Sequence, residues 1–368
     1  MRILQVSSAL RFGGCEEHIC DLSAGLSARG VEVRAVVRAD CEWKDRLADA
    51  LSGAPFEADL KNPKDLRSAF RIAGIAREVG TDFIHVHLAC DYAPASIAAR
   101  MASARLILTH HGSEPISLAT RFLTRNPARV IAVSRGSEQS LSESFGRKRL
   151  VCIPSGHSVH NRTASDFENL ADEFRRVYGI SIERKVVAAI GELSPNGGQD
   201  DLILSAAEII REVPTAYFVI IGKETGGDGF KRKLRRLVKV SDLEECVLFL
   251  DRLEDTNPLL ATSSVFASAA RSGNGADLAM LEAMEAGVPV AATGTKGARD
   301  LIETERHGLL SDPGDPVGLA RSVCRLLTDP ALAAETARSA RRRAKERFSL
   351  ELMVESTLEV YEAAFAKR

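Results

Sequence analysis

The feature that most narrows the fold of this 368-residue chain is one pattern met twice: an apolar strand, a glycine-bearing loop, then an amphipathic helix. In the first occurrence residues 2–6 read as strand and Gly13 and Gly14 break the run. Residues 16–29 then set Ile19, Leu22 and Leu26 on one helical face. Gly30 stops that helix, and residues 31–37 restart as strand. Further strands are expected at 83–88, 105–109 and 130–133, with a helix over 93–101. The second occurrence has a strand at 186–190, a loop rich in Gly and Pro at 191–198 and a helix at 201–211. Strands at 216–221, 246–250, 264–267 and 288–292 follow. A helix is expected from about Leu278 to residue 286, and Asp315-Pro316 opens another with an acidic N-cap and a first-turn proline.

Strands alternating with helices require a parallel sheet covered on both faces. A chain of this length exceeds one core, so the pattern predicts an α/β protein of two Rossmann-like domains. In open sheets of this kind ligands bind beyond the carboxyl ends of the strands, which places the expected site in a cleft where the two domains face each other. Residues 151–184 lose the rhythm around Pro154, Ser155 and Gly156 and read as the linker. The expected boundaries are 1–165, 185–345 and a C-terminal helix at 346–368. That helix carries Leu350, Val354, Leu358, Tyr361 and Phe365 as an apolar stripe, which needs a partner surface and is assigned to the first domain. The basic run at 338–347 reads as a solvated helix face.

A formal net charge of −1 argues against a nucleic-acid partner. The seven cysteines form no CxxC pair, and Cys15 and Cys20 bracket His18 with no second pair at zinc-finger spacing. Free thiols in a reducing cytoplasm are the expectation, and no metal site is expected. No stretch of about 18 apolar residues spans a bilayer. Residues 121–129 mix Arg121, Arg125 and Arg129 with Phe122 and Leu123, as a segment in peripheral contact with the inner face of a membrane would, although a plain amphipathic segment has the same look. His85 and His87 share one face of a strand and read as packing residues.

The segment LEAMEAGVPVAATGTKGARDLIETERHGLLSDPGDPVGLA, residues 281–320, resembles the C-terminal signature of family 4 retaining glycosyltransferases. SSALRFGGCEEHICDLSAGLSARGVEV is similar to that family's N-terminal glycine loop and first helix. DFIHVHLA, THHG, VIAVS, IPSGHS, GELSPNGGQDDLI, FVIIG and FLDRLED fall in the family's order, so the resemblance covers essentially the whole chain. It implies the GT-B fold and transfer of a sugar, with retention, from a nucleoside-diphosphate sugar to a glycan, lipid-linked or small-molecule acceptor. No cofactor and no obligatory metal are implied. The acceptor is assigned to the first domain and the nucleotide sugar to the second. The family's residues carry over one by one. Glu282 matches the ribose-binding glutamate. Gly13 and Gly14 match the loop that lets the backbone approach the donor phosphates, as Gly191, Gly222 and Gly275 do in the second half. The amides of Leu278 and Ala279 match the phosphate cradle at a helix start, and His111 in THHG matches the histidine near the donor sugar.

Three departures stand beside these matches. Glu192 occupies the position of the family's phosphate-binding arginine, Gly197 that of its lysine, and Asn274 (or Gly273, if the register slips by one) that of a glutamate eight residues before Glu282. Two lost charge-assisted contacts amount to about 3–6 kcal/mol. Lys223, Arg252, Arg271 and Lys296 are the candidates to compensate. Three readings follow: an active glycosyltransferase with an altered donor pocket, a catalytically impaired relative acting as a binding or partner subunit, or a nucleotide-sugar epimerase.

Overall fold

β-Branched and other apolar residues fill the central strands on both faces, as burial between two helical layers demands. The computed structural model describes residues 1–60, 66–112, 116–124, 126–156, 164–224, 229–251, 253, 255–272 and 275–366. Its strands are β1 (Arg2–Ser7), β2 (Glu32–Arg38), β3 (Phe56–Ala58), β4 (Phe83–Val86), β5 (Arg105–His110), β6 (Arg129–Ala132) and β7 (Leu150–Cys152) in one sheet. A second sheet holds β8 (Lys185–Ile190), β9 (Ala216–Ile221), β10 (Val247–Leu250), β11 (Ser263–Ser268), β12 (Val290–Thr293) and β13 (Leu309–Ser311). All pairings are parallel, in the orders β3-β2-β1-β4-β5-β6-β7 and β10-β9-β8-β11-β12-β13. Each sheet thus reverses direction beside its first strand, between β1 and β4 and between β8 and β11. These are two Rossmann-like domains.

The chain divides into a unit of Met1–Ser158 with Phe348–Arg368 and a unit of Val159–Arg347. In the first, Leu4, Val6, Ile72, Ile84 and Tyr92 form the core on one face of the sheet. Ile3, Leu22, Leu26, Phe83 and Tyr361 form the core on the other. Tyr361 comes from the last helix, Leu350–Ala366, which closes that face. Its buried residues are Met353, Val354, Thr357, Val360, Tyr361 and Ala364; of the expected stripe Val354 and Tyr361 are buried, Leu350 and Leu358 pack half-buried on the same core, and Phe365 is 40% exposed. The Thr357 hydroxyl donates to the Met353 carbonyl (2.8 Å) and so is buried without an unsatisfied donor.

The expected linker is not loop. β7 and the helix Ala164–Tyr178 occupy most of it, and that helix packs against Asn257–Thr262 in the second unit. Its apolar residues Phe167, Leu170, Phe174 and Tyr178 recur at helical spacing but are diluted by six charged neighbours. Among the described residues no helix is long and apolar enough to cross a membrane.

Candidate functional site

In the first unit the carboxyl ends of β1, β4 and β5 converge on histidines. The helix Gly14–Ser27 starts directly after Gly13 and carries His18 one turn in. His87 follows β4, and His111 follows β5. The ring centroids of His18 and His111 lie 4.7 Å apart, those of His18 and His87 5.6 Å, and those of His87 and His111 5.8 Å. His87 Nε2 pairs with Gln5 Oε1 at 2.8 Å, which turns its Nδ1 inward, where it and His18 Nδ1 lack hydrogen-bond partners among the described residues. Behind them His85 bridges Tyr361 Oη (2.5 Å) and Thr109 Oγ1 (2.7 Å). Burial pushes His18 down to about 4 and His85 to about 3, the second helped by His18, and holds His87 and His111 well below the usual imidazole range. The cluster is therefore neutral at physiological pH.

His85 and His87 are both buried and bonded within the first unit, in line with their packing reading. The ring neighbours of His18 lie about 70 and 90 residues away, so no spacing along the chain marks it as part of the cluster. The three imidazoles place one ring nitrogen each within 4.8 Å of the others, so they are the described residues that could hold a transition metal. A tetrahedral zinc site with bonds of about 2.1 Å needs separations near 3.4 Å, so the rings would have to close by ~1 Å.

In the second unit the loop after β8 is closed by its own hydrogen bonds. Gln199 Nε2 donates to the Glu192 carbonyl (2.9 Å), the Ser194 amide donates to Gln199 Oε1 (3.4 Å), and the Ser194 hydroxyl accepts from the Gly197 amide (3.2 Å). A Cβ at Gly197 would meet Gln199 Nε2 at 2.5 Å and the Glu192 carbonyl at 2.7 Å. Gly198 has φ +67° and touches the Ala269 carbonyl where a Cβ would sit, and Gly222 meets Gly191 in the same way. Gly197 and Gly198 are thus required by close approach, whereas a Cβ at Gly191 would meet nothing within 4 Å. Glu192 itself is exposed.

Arg271 is not a free cation. It bonds Asp201 Oδ1 (2.6 Å), Asp200 Oδ1 (3.0 Å) and the Pro195 carbonyl (2.8 Å), and Lys233 adds a second bond to Asp200 (2.9 Å). Burial alone would raise the Asp200 carboxyl, but the bonds from Lys233 and Arg271 outweigh it and hold it below the usual range. The guanidinium ties the loop to the start of the next helix, so the charge expected to face a phosphate is shared with two carboxylates.

The helix Gly275–Ala286 begins beyond β11, three residues earlier than expected. Leu278 and Ala279 are therefore its fourth and fifth residues, where i→i−4 bonding begins, and the first-turn amides without an intrahelical acceptor are those at 275–277. Glu282 lies about two turns inside, and the Thr256 hydroxyl donates to its carboxylate at 2.7 Å. Thr256 had not been singled out, since nothing local ties it to Glu282. Lys223 follows β9, is exposed, and has its carbonyl bonded to the Leu193 amide (3.1 Å), beside Glu192. Lys296, also exposed, opens the helix Lys296–Leu301 beyond β12. Asn274 and Arg252 lie outside the described residues. The second unit thus brings helix amides, a positioned carboxylate and two exposed ammonium groups to the carboxyl edge of one sheet. That set suits an anionic ligand bearing vicinal hydroxyls.

Residues 12–161 match the family described as Glycosyltransferase Family 4, and residues 184–329 the family described as Glycosyl transferases group 1, one on each unit. The N-acetyl-alpha-D-glucosaminyl L-malate synthase of Bacillus anthracis is 27% identical over 313 residues, spanning 81% of this chain and 79% of that protein. The D-inositol 3-phosphate glycosyltransferase of Acidothermus cellulolyticus is 28% identical over 398 aligned positions, spanning 97% and 87%. Among solved structures, Anabaena Alr3699/HepE in complex with UDP and glucose superposes with a TM-score of 0.85 at 23% identity, covering 99% of this chain and 100% of that one. At that identity the likeness is one of fold, here GT-B.

Proposed function

The chain belongs to the family 4 glycosyltransferases and is an enzyme of that kind, and from this premise we propose that it transfers a sugar from a nucleoside-diphosphate donor with retention and without an obligatory metal. The observation that carries the donor reading is Glu282, set by Thr256 about two turns inside a helix whose free amides lie beyond β11. Its carboxylate accepts from the ribose hydroxyls, and the amino end of that helix faces the diphosphate. Lys223 and Lys296 supply the positive charge that Glu192 and Gly197 do not, stabilising the leaving diphosphate as the glycosidic bond breaks. His111 meets the donor sugar as a neutral hydrogen-bonding group, since its burial disfavours the imidazolium. The acceptor hydroxyl, on a small molecule, glycan or lipid-linked sugar, is taken by the first unit. Two relatives whose names contain malate and inositol 3-phosphate support starting the acceptor search with small anionic polyols and hydroxy acids.

The test is calorimetric titration with UDP-, GDP- and ADP-sugars, followed by transfer assays on the donor that binds. Glu282→Ala is expected to weaken that donor roughly 10- to 100-fold while leaving the melting temperature of the free enzyme near that of the parent. Absence of binding and turnover with every donor would sink the reading in favour of a partner subunit. Conversion of the donor with no acceptor present would instead identify an epimerase.

A further inference from the structure

At the opposite end of the first sheet from the histidines, a groove of about 1220 Å³ opens beside the amino ends of β5 and β6. Four arginines line it. Arg105 opens β5, Arg129 opens β6, Arg100 ends the helix Tyr92–Ala102, and Arg121 lies on the helix Leu118–Leu123. Their bonds go only to neutral acceptors. Arg100 donates to the Leu123 carbonyl and Ser96 Oγ, Arg129 to the Ala128 carbonyl, and Arg105 to the Phe365 carbonyl while stacking on Phe83 and Phe365. Among the described residues none of the four meets a carboxylate. Elsewhere this chain does pair its arginines, as Arg271 with two aspartates and Arg325 with Glu305 show. Among the described residues the groove therefore gathers positive charge with no carboxylate bonded to it.

Its rim is apolar. Leu118 is 80% exposed and Phe122 64%, both on the short helix that carries Arg121. The Tyr92–Ala102 helix packs on that helix and, on its other flank, on Leu66–Val79, which exposes Leu66 and Phe70 beside Arg67 and Arg71. Large apolar side chains exposed next to guanidinium groups match the boundary of a bilayer, where phosphates and acyl chains lie at adjacent depths. A soluble anion would satisfy the arginines and leave the exposure of Leu118 unexplained.

We propose that this groove docks the enzyme on a bilayer bearing anionic phospholipid, with headgroup phosphates among Arg100, Arg105, Arg121 and Arg129 and with Leu118 and Phe122 entering the acyl boundary. β5 runs from Arg105 at the groove to His110 beside the cluster, about 17–20 Å. Docking therefore leaves the histidine end facing away from the lipid, and the groove takes no part in the chemistry.

Co-sedimentation of the full chain with vesicles, in the absence of nucleotide, tests this independently of any donor. Binding is expected to vesicles of equal parts phosphatidylglycerol and phosphatidylcholine and not to phosphatidylcholine alone, and to weaken at high salt. Arg121→Gln with Arg129→Gln should lower the partition coefficient roughly 25-fold. Leu118→Ser with Phe122→Ser should lower it about tenfold, and turnover on a water-soluble acceptor should be unchanged in both variants. No preference for phosphatidylglycerol, or unchanged partitioning of the arginine variant, overturns the proposal. So does saturable binding of inorganic phosphate to the groove without vesicle binding, which would make it a soluble-anion site.

Discussion

The two switch points of this molecule are built alike and provisioned oppositely. Beyond β1, β4 and β5 lie imidazoles that burial keeps neutral, tied to one another's neighbours through Gln5, Thr109 and Tyr361. Beyond β8, β9 and β11 lies a loop whose expected cations are absent and whose polar atoms are satisfied internally by Gln199, Ser194 and Arg271. The difference teaches that a phosphate loop can lose its charged contacts without becoming disordered. What is lost toward a ligand is replaced by bonds within the loop, so the fold survives changes that alter binding.

The largest break in this comparison is His111→Ala, which removes a positioned hydrogen-bonding group from the neutral cluster. Transfer is expected to fall roughly 100- to 1000-fold in kcat, with donor affinity changed far less. Steady-state kinetics on the donor identified by calorimetry read this directly. An unchanged kcat would detach the histidine end from the chemistry.

Next comes the pH dependence of stability. His18 has a folded value of about 4, and the folded values of His85, His87 and His111 are likewise depressed, against about 6.5 when unfolded. The unfolded chain therefore binds more protons below about pH 6.5, and stability is lost as pH falls from there toward the folded values. Between about pH 7.5 and pH 5.5 each such histidine costs about 1.4 kcal/mol. Asp21 and Asp91, both pushed up to about 6 by burial, act in the opposite sense over the same interval and offset part of it. Urea denaturation at the two pH values should show a net loss, smaller in His18→Ala relative to its own value at the higher pH. A flat profile would mean that the cluster is solvated or charged in the folded state.

How much of this contrast lay in the sequence depends on whether the determinant is local. Strands such as β8 and β9 are legible because five or six consecutive apolar residues can only be buried between layers. β3, β7 and β13 are not, being three residues long and defined by their neighbours in the sheet. Glu192 and Gly197 were visible as departures, but their meaning was not. The ring closed by Gln199 and the clamp of Arg271 on Asp200 and Asp201 are tertiary contacts with no pattern along the chain. His18 and Thr256 escape for the same reason, and of the arginine groove only the stretch around Arg121 and Arg129 is legible, since Arg100 and Arg105 join it through the fold.

The third effect probes the clamp itself. Arg271→Ala strands two carboxylates whose side chains are 13% and 10% exposed, with Lys233 left to serve only Asp200. The second unit should lose about 2 kcal/mol, seen as a lower calorimetric transition, while Arg271→Lys recovers part of it. Equal melting of parent and Arg271→Ala would show that solvent already screens the cluster.

The smallest effect separates a missing charge from a remodelled loop. Glu192 is exposed, so Glu192→Arg exchanges repulsion for attraction toward a diphosphate without disturbing packing, and donor affinity should rise about tenfold. Gly197→Lys restores the other familial cation on paper only. Its Cβ would lie 2.5 Å from the Gln199 amide nitrogen, which can swing aside, and 2.7 Å from the Glu192 carbonyl, which is backbone and cannot move alone. That variant should bind donor no better than the parent and melt earlier, and adding Gln199→Ala should relieve only the side-chain part of the clash. Titrating UDP, GDP and ADP into the three variants decides the matter. If Gly197→Lys alone strengthened binding, the loop would be a flexible remnant of the family's phosphate site. If Glu192→Arg alone does so, the loop has been rebuilt around Gln199 and only its outer surface still faces the donor.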